Sequence, residues 1–201
     1  MAVTQLDPKT ALLVIDLQKG IVAMPTARPA DKVVKLARQM IDAFRHHHLP
    51  IVFVNVAGGA PGRTESPPRV GQMPPDWTEL VPELNRQHED HLVTKRTWGA
   101  FTNTRLDEHL KELGVTQVVI LGVATSVGVE STARHAYENG YHVTLAVDAM
   151  TDLNADAHTN SIARIFPKLG ETGTTQEIID LLNKGSDSPS RESASPQRRA
   201  V

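Results

Sequence analysis

The chain has no cysteine among its 201 residues. That absence excludes disulfides, thiolate metal centres, iron–sulfur clusters and a cysteine nucleophile. A dominant charge sign is missing too: 21 Lys and Arg against 23 Asp and Glu leave a formal net charge of −2. Without a strong basic field, neither nucleic acid nor an anionic membrane surface is an expected partner. No apolar run approaches the ~20 residues that span a bilayer. The opening residues, MAVTQLDPKT, show neither the basic start nor the apolar stretch of a secretory signal. With these absences, a cytoplasmic enzyme or binding protein is the default expectation.

What is present reads as one α/β domain over residues 1–184, with 40% apolar and 22% charged residues. ALLVIDL (11–17) is an apolar run broken only by Asp16, as in a strand buried on both faces of a parallel sheet. Val33, Val34, Ala37, Met40, Ile41 and Phe44 recur at helical spacing. IVFVNV (51–56) is a second strand, and HLVTK (91–95) a short third. Between them, residues 57–90 form a long Gly- and Pro-rich loop with a short helix expected near Pro82 to His88. Leu106, Leu110 and Leu113 mark a helix closed by Gly114. QVVILGV (117–123) and residues 141–147 are further strands around a helix over 127–139. Another helix is expected over 155–166, and a short strand near Glu171. A Thr174/Glu177 capping box then starts a helix through Leu182. Strands alternating with crossover helices predict a three-layer αβα, doubly wound parallel sheet. From Gly185 to Val201 the sequence is rich in Ser, Pro and Arg and is expected to be a disordered tail.

In such sheets ligands bind beyond the carboxyl ends of the strands. The first strand delivers Asp16 there, the third delivers Lys95, and the fourth runs through Gly122-Val123-Ala124-Thr125-Ser126 into a helix. A carboxylate in an apolar strand pairs with a cation or takes up a proton, unless it simply caps the next turn. The segment after the fourth strand has neither the Walker ending nor the G-x-G-x-x-G pattern, so nucleotide phosphate is not expected. Its small residues let backbone N–H groups approach a ligand at a helix N-terminus, or form a plain strand-to-helix turn. His46, His47 and His48 read as solvated residues at a helix end. Gly58-Gly59-Ala60-Pro61-Gly62 reads as a flexible entrance loop.

ALLVIDLQKG, VTKRTWGAFTNTRLDEHLKELGV and LGVATSVGVESTARHAYENGYHVTLAVDAMTD together resemble the isochorismatase-like hydrolases, the cysteine hydrolase superfamily, over roughly residues 9–183. The resemblance implies a six-stranded parallel sheet and a site built from an Asp, a Lys and a Cys. Asp16 and Lys95 match the first two, and the cysteine position falls on Gly128. Nicotinamidases, carbamoylsarcosine amidases and ureidoacrylate-type amidases use that cysteine to form an acyl intermediate, which glycine cannot do. Some isochorismatases also lack it, and there the aspartate acts as a general acid on a vinyl ether, giving pyruvate. The resemblance thus implies isochorismate-type hydrolysis at Asp16, Lys95 and Gly128, with the small residue opening space for a water or a bulkier substrate. Gln18, Trp98, Phe101, Ala124, Thr125 and Ser126 are expected to contact the substrate. It also implies a cis Val123–Ala124 peptide that turns the Ala124 N–H toward the ligand beside the Gly128 N–H. No metal or other cofactor is expected, since Asn55-Val56-Ala57-Gly58 stands where nicotinamidases carry D-x-H. Ser126 stands where the cysteine-less isochorismatases carry a histidine. A homodimer or higher homo-oligomer is expected. An amide or ester hydrolase using Ser126 or water, and an inactive binding protein of the same fold, are the alternatives.

Overall fold

A computed structural model describes residues 3–65 and 74–186. Its strands are β1 (Thr10–Ile15), β2 (Ile51–Val56), β3 (His91–Lys95), β4 (Gln117–Val123), β5 (His142–Thr151) and β6 (Glu171–Gly173). They form one parallel sheet in the order β3-β2-β1-β4-β5-β6. Its helices are α1 (Lys19–Val22), α2 (Ala30–His46), α3 (Leu106–Glu112), α4 (Glu130–Glu138), α5 (Ala155–Asn160) and α6 (Thr175–Ser186).

Every residue of β1 and β4 is buried, because helices cover both faces of the sheet; hence their unbroken apolar runs. The two-residue period of a strand still sorts the side chains between two cores. Leu12, Val14, Phe53, Val119 and Leu121 face α2 and α6, where Met40, Phe44 and Ile178 meet them. Leu13, Ile15, Val52, Val54, Val118 and Ile120 face α3 and α4, where Leu106, Leu110, Ala133 and Ala136 meet them. The apolar stripe of α2 is the one its spacing predicts, from Val33 to Phe44. The capping box of α6 is closed in both directions: the Glu177 carboxylate accepts from Thr174 N, and Thr174 Oγ1 accepts from Glu177 N.

Several elements differ from their sequence expectation. The helix expected near Pro82 to His88 is a single 3-10 turn, Pro82–Leu84. The helix expected over 127–139 opens with a π turn, Thr125–Val129, before α4 begins. The one expected over 155–166 breaks into α5, a π turn (Ser161–Ile165) and a 3-10 turn (Phe166–Lys168), next to Pro167, which has no N–H to continue the ladder. β5 runs past Val147 to Thr151, with its register against β4 shifted between Ile120 and Gly122. Gly185 and Ser186, expected to open the tail, complete α6; the rest of that tail lies outside the described residues.

The chain order reverses between β1 and β4, the kind of switch point at which doubly wound sheets take ligands. One glycine fixes how closely the two strands approach there. Gly122 has φ +124, and a Cβ on it would fall 2.0 Å from the Ile15 carbonyl oxygen. Backbone cannot swing aside as a side chain can. Gly122→Ala should therefore cost about 3 kcal/mol or more, from overpacking and a strained φ together. Gly59→Ala, where nothing lies within 4 Å, should leave the urea midpoint unchanged. Equal midpoints for the two variants would contradict the close approach.

Candidate active site

Asp16 follows β1 directly, in the left-handed region at φ 52, which Asp tolerates better than most residues. Its N–H is held by the Val54 carbonyl at 2.9 Å. Lys95 ends β3. Its Nζ donates to Asp16 Oδ2 at 2.7 Å and reaches the Thr97 carbonyl at 3.3 Å. Both residues are buried, Asp16 to 4% exposure and Lys95 to 2%. The second carboxylate oxygen, Oδ1, is buried without a hydrogen-bond partner among the described residues. Burial pushes the Asp16 pKa up to about 6 against the pull of the Lys95 charge and hydrogen bond.

The turn after β4 forms the other wall. The Val123–Ala124 peptide is cis. The Ala124 carbonyl accepts from both Val127 N and Val129 N at 3.1 Å, which closes the π turn. Gly128 lies against the carboxylate: a Cβ there would sit 3.0 Å from Asp16 Oδ2, 3.2 Å from Ile15 Cγ2 and 3.3 Å from the Val123 carbonyl oxygen. The position is therefore crowded, and glycine does not open the space expected of it.

The structure spends several expected substrate contacts elsewhere. Gln18 is fully buried; its amide accepts from Val56 N and donates to the Val56 and Trp77 carbonyls, which ties the long loop back to β2. Thr125 is fully buried, with its hydroxyl engaged by the Thr151 carbonyl at 3.0 Å and His158 Nδ1 at 2.7 Å. Ser126 binds Asp152 Oδ2 through both its N–H (2.7 Å) and its hydroxyl (2.8 Å). Phe101 packs against Tyr141 with ring centroids 6.0 Å apart, and Tyr141 immediately precedes β5 at the amino-terminal edge of the sheet. An apolar ring gains more in that core than at a polar crevice. Ala124 is half-buried against the α2-side core. Trp98 is 65% exposed and lines a cavity of about 410 Å³ with Ala60, Gly99, Ser131 and His135.

Sequence reasoning missed the brace behind this turn. Asp152 takes Ser126 on Oδ2 and Asn154 N on Oδ1. Thr151 and the Asp152 carbonyl together hold Ala27 and Arg28. A signal for Asp152 was there: like Asp16, it follows an apolar strand. Nothing comparable marks His158, which becomes important only when α5 folds back onto the turn.

A buried carboxylate–ammonium pair thus lies at the switch point of a β3-β2-β1-β4-β5-β6 parallel sheet, beside the turn that follows β4. Residues 10–177 match the isochorismatase domain, and the chain belongs to the isochorismatase family of hydrolases. It is 44% identical over 179 residues to the isochorismatase family protein YwoC of Bacillus subtilis, across 86% of this chain and 93% of that one. It is 30% identical over 176 residues to Nicotinamidase 3 of Arabidopsis thaliana, across 79% and 83% of the two chains. The solved structure of an isochorismatase family protein from Burkholderia thailandensis matches with a TM-score of 0.85 and 40% identity, covering 89% of this chain and 98% of that one.

The carboxyl carbon resonance of Asp16 should titrate near pH 6, and higher in Lys95→Met, because the ammonium is what holds the value down. Folded Asp16 keeps its proton up to about pH 6, whereas the unfolded carboxyl releases it near 3.8. Folding therefore takes up a proton in that window, and this contribution to stability is lost as pH rises through it. Asp16→Asn should remove that part of the pH dependence in urea unfolding. A wild-type titration centred near 4 would show that Lys95 outweighs burial.

Proposed function

We propose that this protein hydrolyses a vinyl ether of isochorismate type, releasing pyruvate, with Asp16 as general acid and no covalent enzyme intermediate. The observation that carries the reading is the Asp16 carboxyl: one oxygen on Lys95, the other unpartnered and buried, with a pKa near the working range of an enzyme. A group poised in this way gives up a proton and takes one back near neutral pH. In this reading Gly128 stands at the place of the family's nucleophilic cysteine, and the crowding against Asp16 Oδ2 fits a residue without a side chain.

The steps balance without a nucleophile on the protein. Asp16 donates its proton to the terminal methylene carbon of the enol ether, whose π electrons form the new C–H bond. The ether oxygen shares its lone pair with the resulting cation. Water adds to the ether-bearing carbon, where the positive charge lies, and returns a proton to Asp16, leaving a hemiketal. The hemiketal breaks its bond to the alcohol oxygen, its hydroxyl becomes the ketone of pyruvate, and that proton ends on the departing alcohol. Lys95 keeps the Asp16 pKa from rising further, so both protonation states remain within reach over the cycle.

Amide hydrolysis is the second reading, favoured by the relation to Nicotinamidase 3. Its nucleophile here would be water or the Ser126 hydroxyl. That hydroxyl donates straight to Asp152, with no imidazole between them, and the same oxygen also takes the Ser126 N–H. Such a contact fastens a turn and leaves the serine unactivated.

Incubation with isochorismate and enzymatic detection of pyruvate separates the readings. Wild type should release pyruvate, at a rate that falls as pH rises above about 6. Asp16→Asn should lower kcat by ~10² or more. Unchanged turnover in that variant would remove Asp16 from the chemistry. Release of ammonia from nicotinamide, with no pyruvate from isochorismate, would favour the second reading. Gly128→Cys should gain no amidase activity; an efficient amidase from that single change would mean that the site is a disabled thiol hydrolase.

A further inference from the structure

His158 is the most buried of the described histidines outside the Asp16–Lys95 pair's surroundings to touch the crevice turn, at 5% exposure, and the chemistry above leaves it unused. Its Nδ1 lies 2.7 Å from Thr125 Oγ1, and the same hydroxyl lies 3.0 Å from the Thr151 carbonyl oxygen. A carbonyl only accepts, so the single Thr125 hydroxyl proton must go to Thr151 if both contacts are hydrogen bonds. His158 then has to donate from Nδ1 to Thr125 Oγ1. This places a proton on Nδ1, the Nδ1–H tautomer when the ring is neutral. Its Nε2 is a bare acceptor, buried without a partner among the described residues.

The contact belongs to a larger brace. Three residues beyond His158, on the same side of its helix, Ser161 Oγ donates to Glu130 Oε2 at 2.6 Å. One segment therefore grips the turn at both ends, Thr125 at its start and Glu130 just after it. Gly128, which lies against Asp16, sits between the two grips.

We propose that His158 is a positioning residue: through Nδ1–H···Thr125 it sets the place of the Ala124–Gly128 backbone relative to Asp16. This inference rests on the reading that the reaction occurs at Asp16, beside the Gly128 backbone. The charged groups that act on the ring are Arg28, ahead of α2, and Asp152, after β5. Burial and Arg28 hold the His158 pKa below its ordinary value while Asp152 opposes them, in keeping with a ring that stays neutral.

Two variants test the role. His158→Asn carries an amide N–H near the place of Nδ1, whereas His158→Leu fills similar volume with no donor. In His158→Leu we expect kcat for pyruvate release to fall about tenfold with KM little changed, as for a small misplacement of reacting groups. His158→Asn should recover most of that loss. Thr125→Val should match His158→Leu, and the double variant should be no worse than either. Nitrogen NMR of wild type should show His158 protonated on Nδ1 and bare on Nε2. In His158→Leu the amide resonances of Ser126 and Gly128 should move, while those of Leu12 and Val14 in β1 stay in place. An Nε2–H tautomer, or unmoved Ser126 and Gly128 amides in His158→Leu, overturns the proposal. So does equal loss of kcat in the Leu and Asn variants. Should wild type release no pyruvate, the proposed reaction fails, and the NMR measurements still decide the positioning role.

Discussion

The pair formed by Asp16 and Lys95 is the constraint around which the carboxyl end of the sheet is organised. Two opposite charges are held out of water 2.7 Å apart by residues 79 positions distant in the chain. Burying such a pair costs several kcal/mol in desolvation, and its mutual attraction need not repay that. Substitution of either partner alone leaves the other stranded. The pair is thus weak evidence for stability. The rest of the fold supplies its cost: two apolar cores, one on each face of the sheet, stabilise a framework that can carry it.

Geometry at the pair is asymmetric. Lys95 engages one carboxylate oxygen and the Thr97 carbonyl, so its charge is well placed. The other carboxylate oxygen has no such partner. Desolvation and the ammonium oppose each other in setting the carboxyl's affinity for a proton, and burial wins by a margin that leaves the group near pH 6. Asp152 differs: its two oxygens accept the backbone N–H groups of Ser126 and Asn154. Both aspartates follow strands, yet Asp152 is spent on holding a turn while one oxygen of Asp16 has no partner among the described residues.

The wall opposite Asp16 is backbone, which must be positioned from behind. Thr151 and Asp152 at the end of β5, then His158 and Ser161 beyond it, hold residues 125 to 130 from outside the crevice. The long loop is held in its turn by Gln18, whose amide bonds at Val56 and Trp77 explain why a polar side chain lies fully buried beside the site. Polar residues near the crevice thus serve mostly to fix the chain, and few side chains remain to meet a ligand.

The sequence by itself determined the layers. Apolar runs at β1, β2 and β4 and the stripe from Val33 to Phe44 are local patterns whose burial follows from their period, and they were legible without coordinates. So were Asp16 and Lys95, since charged groups at the ends of apolar strands are conspicuous, and the parallel topology brings such ends to one edge. Boundaries were less legible where tertiary contacts override propensity: the π turn at Thr125 and the broken helix after Asn160 depend on what packs against them. The destinations of Gln18, Thr125, Ser126 and Phe101 were decided only by the tertiary structure. Each can serve a ligand or the protein's own backbone, and the choice rests on which donor, acceptor or apolar surface the folded chain brings within reach. The same holds for His158, whose partner is 33 residues away and appears only when α5 closes over the turn.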